Sequence, residues 1–581
     1  TTNFFKQNND SIKAMKMVTQ MRRAGFDIAL RKFFEAQTLE GIAALATAVD
    51  PSHHQAPTGP AALTPIQQWF FDRNDPTPDH WNQYVCITVP SEFDADQISA
   101  VLQHLVRQHE AFRTAFKMAE NGWQAEILPE PAAFRLVRCH AQDVQTYLSR
   151  AHESLSLEKG DVFRAIWAHG THNSLYMIAH HLIVDGVSWQ IILDDLQQHL
   201  AGQSVTPGGS PSLWAVDLRQ HAMLSKEIAQ WELQTQHIKD LPVDVPDADN
   251  TAGDLANHLQ VLGAGLTEAA ETVGQRPYKV DIQGLMLAAL GQTLADWTGL
   301  PDNVVALESH GRMGAVPVPN RAIGWFTAVT PVVVSSGDSA DCICQTKDAL
   351  ARSIQSATHY NTWRAETGAP GAHIAFNHLG RSGTDEGQLQ PDMSRSGLST
   401  GPASPIEADI TLLSYIMDGK LHIDWEYASK RLNPHTIAKL AAHFEQALHD
   451  LVAHCKMAAP RPTPSDYSLA LITQETLDQM APGITDIYPV TPLQAGMLFH
   501  ADLSPDDDVY VNQMRITLDG LSAKEFQQAW VKACARHDVF RTGFEAIGTS
   551  GEYLQVLYEN AAPDICIVEG NEADVIDAML H

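Results

Sequence analysis

The chain has 581 residues, more than one ordinary core holds, and its length suggests about three or four domains. With 44% hydrophobic and 19% charged residues it reads as globular, and its net charge of −30 repels nucleic acid and anionic lipid, so neither is an expected partner. The seven cysteines are scattered with no CxxC pair, which fits a reducing cytosol, and neither a long apolar run for a membrane span nor a signal-peptide layout at TTNFFKQNND is present. A cytoplasmic protein is therefore expected.

In chain order, Asp10 and Ser11 are good N-cap residues for SIKAMKMVTQMRRAGF, where Ile12, Met15, Val18 (or Thr19) and Met21 recur at helical spacing up to Gly25. A second helical segment, TLEGIAALATAV, begins at Thr38. DPSHHQAPTGPAA then reads as a linker, and His53 and His54 within it as solvated residues rather than a metal site. Further on, SLYMIA alternates as a strand, HHLIVDG turns away, and VSWQIILDDLQQHL has helical periodicity. TPGGSPS at 206–212 is a candidate lobe boundary. NVVALESHGRM is a short strand ending near Glu308, RAIGWFTAVTPVVV a glycine-containing turn and buried strand with Trp325 and Phe326 as core, and AHIAFNHLGR another strand with Asn377 and His378 near its end. A helix over NPHTIAKLAAHFEQALHDLVAH leads into a Pro-rich linker at 456–470.

An internal repeat organises the chain. LTPIQQWFF (63–71) is echoed by VTPLQAGMLF (490–499), and RQHEAFRTAF (107–116) by ARHDVFRTGF (535–544). Thr64 aligns with Thr491 at an offset of 427, and Arg113 with Arg541 at 428. A second copy of one fold thus begins near residue 484, and the chain ends before that copy is complete. The first ten residues open in mid-domain, so a piece of a longer modular chain is expected.

The residues alone leave the chemistry open. His181 and Asp185 fall at a strand-to-helix junction, where a scaffold can aim a side chain into a cleft. A neutral imidazole there suits general-base work, while Asp185 can fix the turn or hold an arginine. A buried hydrogen-bonded histidine pair is the second reading and a metal site the third, weakened by the lack of a nearby Cys or His cluster. Glu308, at a strand's end, is either an acid/base group or the ion-pair partner of Arg312, and the residues alone favour the ion pair.

Taken together, the motifs resemble the nonribosomal peptide synthetases. HHLIVDGVSW matches the HHxxxDG motif of the condensation/epimerisation superfamily, and the trailing Ser188-Trp189 resembles its epimerisation branch. So do LTPIQQWFF, ESHGR around Glu308, IGWFT at 323–327 and FNHLG at 376–380. The resemblance implies an α/β (α+β) fold with two chloramphenicol-acetyltransferase-like lobes around a central tunnel, preceded by a partial all-α carrier bundle. The expected domains are a carrier protein lacking its first helix (1–50), a linker (51–60), an epimerisation domain (61–455, lobes about 61–210 and 211–455), a linker (456–483) and the opening of a condensation domain (484–581). QNNDSI stands where the carrier motif reads roughly LGGDSI, so Ser11 matches the serine that takes the 4'-phosphopantetheine arm, with Asn8 and Asn9 in place of two glycines.

The activity so implied is inversion of the α-carbon, L to D, of an aminoacyl or peptidyl thioester on that arm. Matching to the family gives His181 and Glu308 the proton-transfer roles, one on each face of the carbon. His180 and Asp185 shape the loop, and Asn377 is a candidate for polarising the carbonyl or enolate. His378 stands where the family commonly has Tyr. No metal, nucleotide or redox cofactor is implied. Implied partners are the adjacent carrier with its tethered thioester, the downstream condensation domain, an upstream adenylation domain and a phosphopantetheinyl transferase. Two alternatives are carried: an amide-forming condensation domain, which would not need Glu308, and a non-catalytic docking scaffold, which expects a broken HHxxxDG or a missing Glu.

Overall fold

In a computed structural model of the chain, the described residues are 17, 18, 21, 26–28, 32, 33, 36 and 38–48, then 57–567 apart from 204, 206, 207, 313–315, 317, 382–390, 393–398, 468, 504–509, 511, 513, 515 and 548–551. The readings at Asp10, Ser11, Gly25, His53 and His54 fall outside them. The chain divides into two compact units, residues 1–459 and 460–581.

Near the start of the first unit, Thr38 caps a helix over Leu39–Leu45 by accepting from Gly41 N. Val18, Ile28, Phe33 and Ile42 share a small buried core. Beside these helices the chain also forms a two-residue antiparallel pair, Phe26–Asp27 with Thr47–Ala48, which the helical reading lacked.

The rest of the first unit holds two large sheets with separate cores, beside a three-stranded sheet of Gly59–Ala61, Gly122–Ile127 and Thr114–Ala119. The first half supplies strands β1 (Asn82–Val89), β2 (Leu136–His140), β3 (Phe163–His169) and β4 (Asn173–His180), followed by helix α1 (Gly186–Leu200). The second half supplies β5 (Leu255–Val261), helix α2 (Ile282–Thr298), β6 (Asp302–Ser309), β7 (Ala328–Ser335), β8 (Ile374–Arg381), β9 (Pro391–Asp392), β10 (Ile410–Met417), β11 (Lys420–Ala428) and helix α3 (Pro434–Met457). One sheet has the order β9-β1-β4-β3-β2, the other β5-β11-β10-β8-β6-β7.

Strand β9 comes from the second half yet pairs with Ile87 and Cys86 of β1. Downstream of it Thr400 bridges Trp81, Gly401 N donates to His80 O at 2.8 Å, and Arg73 pairs with Glu407 at 2.9 Å. Strand β9 and residues 399–407 therefore strap the second half onto the first sheet, an exchange that a division into consecutive lobes at about residue 210 does not contain.

Helix α2 explains how the second sheet is held. Its sequence, IQGLMLAALGQTLADWT, is apolar on all sides, as a helix enclosed in a core must be. Leu285 through Leu290 are all fully buried, in the same cluster as Val305 and Leu307 of β6, Phe376 of β8 and Phe444 of α3. Asp281 caps the helix by accepting from Gly284 N, and Gly299 ends it at φ 74, where a side chain would be strained.

The repeat is visible in three dimensions. In the first copy Thr64 and Gln67 form a capping box on the helix Pro65–Asp72, and in the second Thr491 and Gln494 exchange the same two bonds. Each copy then has a 3-10 turn ending in an arginine, at Arg113 and Arg541, followed by two antiparallel strands. Arg113 Nη1 donates to Leu128 O at the end of the second strand, and Arg541 Nη1 donates to Tyr558 O in the equivalent place. In both copies a strand preceding the capped helix adds to the far edge, giving matching three-stranded sheets.

Truncating a side chain inside α2 should unseat the second sheet. Leu287→Ala is expected to cost about 2–5 kcal/mol, read as a lower urea midpoint for the transition of the first unit.

Candidate functional site

The site begins where β4 ends. His180 closes that strand as the register partner of Asn82, and His181 opens a 3-10 turn that runs into α1. His180 is fully buried. Its Nε2 lies 2.8 Å from Pro78 O and its Nδ1 accepts from Leu182 N, so both ring nitrogens are used by backbone. Burial pushes its pKa down to about 3, which keeps the ring neutral. His180 therefore shapes the turn, and neither of its nitrogens is left for substrate.

His181 is placed differently. Its backbone N–H donates to Trp81 O, its Nδ1 donates to Val184 O at 2.8 Å, and its ring lies 4.3 Å from that of Trp325. Because a carbonyl only accepts, Nδ1 carries the proton and Nε2 carries the lone pair. Burial lowers the pKa of this imidazole, opposed by its backbone contacts and by Asp185, and the side chain keeps partial exposure. A neutral histidine with a fixed tautomer and a partly open edge can act as a base near pH 7.

Asp185 caps α1 and does more than cap. It accepts from Ser188 N at 2.7 Å, from Arg312 Nη2 at 3.0 and 3.1 Å on its two oxygens, and from Phe326 N at 3.1 Å. Arg312 also donates to Ala322 O and stands over the Phe326 ring at 4.4 Å. Ser188 Oγ donates to Gly324 O and accepts from Gly324 N. The turn HHLIVDGVSW and the stretches ESHGR and IGWFT are thus one bonded structure. Gly311 permits the close approach: at φ 63, a Cβ there would lie 1.7 Å from Phe326 O.

Arg312 is therefore the partner of Asp185, and the sequence-based pairing of Arg312 with Glu308 is replaced. Glu308, on β6, instead accepts from Asn377 Nδ2 on β8 at 2.7 Å. Strands β6 and β8 run parallel with Leu307 opposite Phe376, which sets the two polar residues side by side. On its other flank Glu308 pairs with Val329, four residues beyond Trp325. Burial raises the pKa of Glu308, and the Asn377 bond partly offsets the rise. His310, next along, is pushed down to about 4 by burial and by Arg312.

His378 bonds elsewhere. Its Nδ1 lies 3.0 Å from Ser414 Oγ, opposite it on β10, and Ser414 Oγ donates to Asn377 O at 3.2 Å. Ser414 is buried between Leu412 and Ile416 on the core side of its strand. Side chains alternate along a strand, so Asn377 faces Glu308 while His378 shares the face of Phe376. His378, at the position where the family commonly has Tyr, is thus linked to Asn377 through Ser414.

Trp189 is buried on α1, and its indole N–H donates to Gln83 Oε1 at 3.0 Å. Gln83 Nε2 lies 2.8 Å from His181 Nε2. Sequence reasoning missed Gln83 and the part played by Trp325. The only local trace of Gln83 is a polar side chain at the head of the strand WNQYVCI, and its meaning depends on the pairing of β1 with β4.

Among the described residues no group of three or more His, Cys, Asp or Glu could hold a metal ion, and no helix is long and apolar enough to cross a membrane.

Removing the arginine should cost more than its own bonds. Arg312→Met leaves the Asp185 carboxylate buried and unpaired, and is expected to destabilise the first unit by about 3–5 kcal/mol in urea unfolding, against a much smaller loss for the double variant Asp185→Asn, Arg312→Met.

Comparison with known proteins gives these features a context. The family described as "Condensation domain" matches residues 58–465 and again 484–579, and the family described as "Phosphopantetheine attachment site" matches residues 1–46. A linear gramicidin synthase chain of Brevibacillus parabrevis is 32% identical over 598 residues, covering 93% of this chain and 8% of the relative. Tyrocidine synthase 1 of the same organism is 27% identical over 536 residues, covering 82% of this chain and 48% of the relative. The chain thus spans less than half of the length of either relative. Among solved structures, the epimerization domain from the third module of tyrocidine synthetase B is 26% identical with a TM-score of 0.62, covering 70% of this chain and 100% of that one. The condensation domain of the Monacolin K polyketide synthase MokA shares the fold, at 15% identity and a TM-score of 0.56 over 70% of this chain and 99% of that one. The attachment-site match implies a covalent phosphopantetheine. The residues fit it: Ser11 within the matched span carries the hydroxyl that a phosphodiester needs, and the described part of that span packs a core of its own.

Proposed function

Since the chain belongs to the condensation-domain family and is a segment of a nonribosomal peptide synthetase, we propose that its central domain inverts the α-carbon of a carrier-bound aminoacyl or peptidyl thioester, from L to D. The observation that carries this reading is the pair of raised Glu308 carboxyl and neutral His181, set on the two halves of the domain and joined through the loop of Trp325. The likeness to an epimerization domain at 26% identity supports it. The amide-forming alternative draws on the family description, but it gives no task to a half-buried carboxyl held by Asn377 near the end of β6.

Under this reading the divisions are those expected from the sequence: a carrier over 1–50, the epimerase over 61–455 and the opening of a condensation domain over 484–581. When attached to Ser11, phosphopantetheine supplies a thioester that carries the acyl group and acidifies its α-hydrogen. The side chains do the rest. His181 Nε2 holds or gives a proton on one face, and Glu308 does so on the other. Their environments suit opposite duties: burial favours the neutral imidazole, a base, and the neutral carboxyl, an acid. Asn377 orients Glu308 and retains a capacity to donate to substrate oxygen. His180 and Asp185 hold the turn. The adjacent carrier, the following condensation domain, an adenylation domain and a phosphopantetheinyl transferase are the partners this function requires, in the cytoplasm.

The test is α-hydrogen exchange. With the arm on Ser11 loaded with an L-aminoacyl or peptidyl group in deuterated water, hydrolysis of the thioester should release deuterated product of mixed chirality. His181→Ala and Glu308→Gln are each expected to lower the rate by about 10²- to 10⁴-fold. Because the pKa of His181 is lowered, the step that needs it neutral should retain its rate at about pH 6.5, the ordinary imidazole midpoint, and fall only at more acidic pH. Release of purely L product with no deuterium would overturn the proposal.

A further inference from the structure

The side-chain amide of Gln83 bridges two residues of the HHLIVDGVSW stretch, and each end of the bridge is chemically unambiguous. The Trp189 indole nitrogen can only donate, and it lies 3.0 Å from Gln83 Oε1. That fixes the amide with its NH2 toward His181, where Gln83 Nε2 lies 2.8 Å from His181 Nε2. At the far end Val184 O can only accept, so His181 Nδ1 carries the proton. The directions therefore run one way: Trp189 to Gln83, Gln83 to the lone pair of His181, His181 to the backbone. Both Gln83 and His181 keep partial exposure, while Trp189 is buried in the core.

We propose that Gln83, oriented by Trp189, is a positioning residue that keeps His181 unprotonated and covers its lone pair until substrate displaces the amide. An NH2 group has no lone pair to offer an N–H. Once Nε2 gains a proton, two donors would face each other at bonding distance. Gln83 must then swing away, or turn over and set its NH2 against the Trp189 N–H. Either move loses a hydrogen bond, so the imidazolium is disfavoured by geometry as well as by burial. The catalytic part of the inference rests on the epimerase reading. In that step the Cα–H bond breaks, its electron pair stays in the substrate's carbonyl system, its proton passes to Nε2, and the Gln83 bond to Nε2 is released. The placement of the proton on free His181 does not depend on that reading.

The other charged and titratable groups around His181 come from several elements. On its own turn are His180, held neutral, and Asp185. From the second half come Arg312, bound to Asp185, and His310, also neutral, with Glu308 beyond them on β6. Arg73, paired with Glu407, lies 4.2 Å over the ring of Trp81, whose carbonyl takes the His181 N–H. Each of these is unchanged by substitution at Gln83, so a shift in His181 reports the amide.

The experiment is a titration of the full chain with ¹⁵N-labelled histidine rings, the His181 signal assigned by its loss in His181→Ala. In the wild type the ring should be the Nδ1–H tautomer. Gln83→Glu keeps the shape and still accepts from Trp189, but it offers an oxygen to Nε2, so the titration midpoint should rise by about 1–3 units. Trp189→Phe frees the amide to turn its oxygen toward His181 and should raise the midpoint by less. In a Gln83→Ala background the same tryptophan change should add nothing, because the two residues act through one contact. The acid limb of α-hydrogen exchange should move with the midpoint. An unchanged midpoint in Gln83→Glu, or equal effects of Trp189→Phe with and without Gln83, would overturn the inference. If the midpoint moves while even the wild type exchanges no α-hydrogen, the relay stands and the epimerase reading falls.

Discussion

The carboxylate of Asp185 gathers donors from three stretches of chain: Ser188 N at the head of α1, Arg312 beyond β6, and Phe326 N before β7. A buried charge of this kind is tolerable only when it is paired and its remaining lone pairs are filled, and both conditions are met. What the pair contributes is less a quantity of stability than a geometry. With Asp185 fixed to Arg312 and Phe326, the turn that carries His181 cannot shift without the loop that carries Trp325, and that loop continues directly into the register partner of Glu308. The two proposed proton carriers come from different sheets and different cores. Their relation is set by this junction and by the strap that β9 and residues 399–407 form, not by either core alone.

Much of this was legible in the sequence, and the parts that were not share a physical reason. Local signals were strong where one element dictates its own form. The alternation of SLYMIA, the helical segment from Thr38 and the helix after Asn433 all appear where the pattern puts them. The repeat of Thr64 and Arg113 at Thr491 and Arg541 was equally plain, because each copy uses the threonine to cap a helix and the arginine to tie down the end of a strand. What failed was pairing across distance. Arg312 lies four residues from Glu308 and reads as its partner in sequence, yet it bonds to Asp185, 127 positions away. Likewise His378 is adjacent to Asn377 in sequence but occupies the opposite face of β8. Neighbouring residues on a strand point apart, so proximity in sequence argues against sharing a site.

The electrostatics of the two proposed carriers follow from burial rather than from a partner ion. An ion pair between Glu308 and Arg312 would have held the carboxyl ionised, against the acid role proposed for it. With Arg312 paired to Asp185 and Asn377 the hydrogen-bond partner of Glu308 among the described residues, desolvation is the dominant effect, and the pKa of the carboxyl rises. Desolvation also lowers His181, against the pull of Asp185, whose charge is largely met by Arg312. The placement of one arginine thus bears on both groups: it pairs with the carboxylate that raises the histidine's pKa, and it leaves Glu308 to the Asn377 amide.

This division explains why the motif HHLIVDG says so little about reaction type. Its histidine and aspartate build a neutral, tautomer-fixed imidazole at a strand-to-helix turn, which suits general-base work in more than one reaction. The residues on which the proposed chemistry depends lie elsewhere: Glu308 and Asn377, one on each of two parallel strands of the second sheet, and Trp189, linked to His181 through Gln83. A chain that kept the first sheet and changed β6 and β8 would keep the imidazole and lose the carboxyl held by Asn377. The contact between Glu308 and Asn377 therefore depends on the register of β6 against β8, since a slip of one residue would turn Glu308 into the core and away from Asn377.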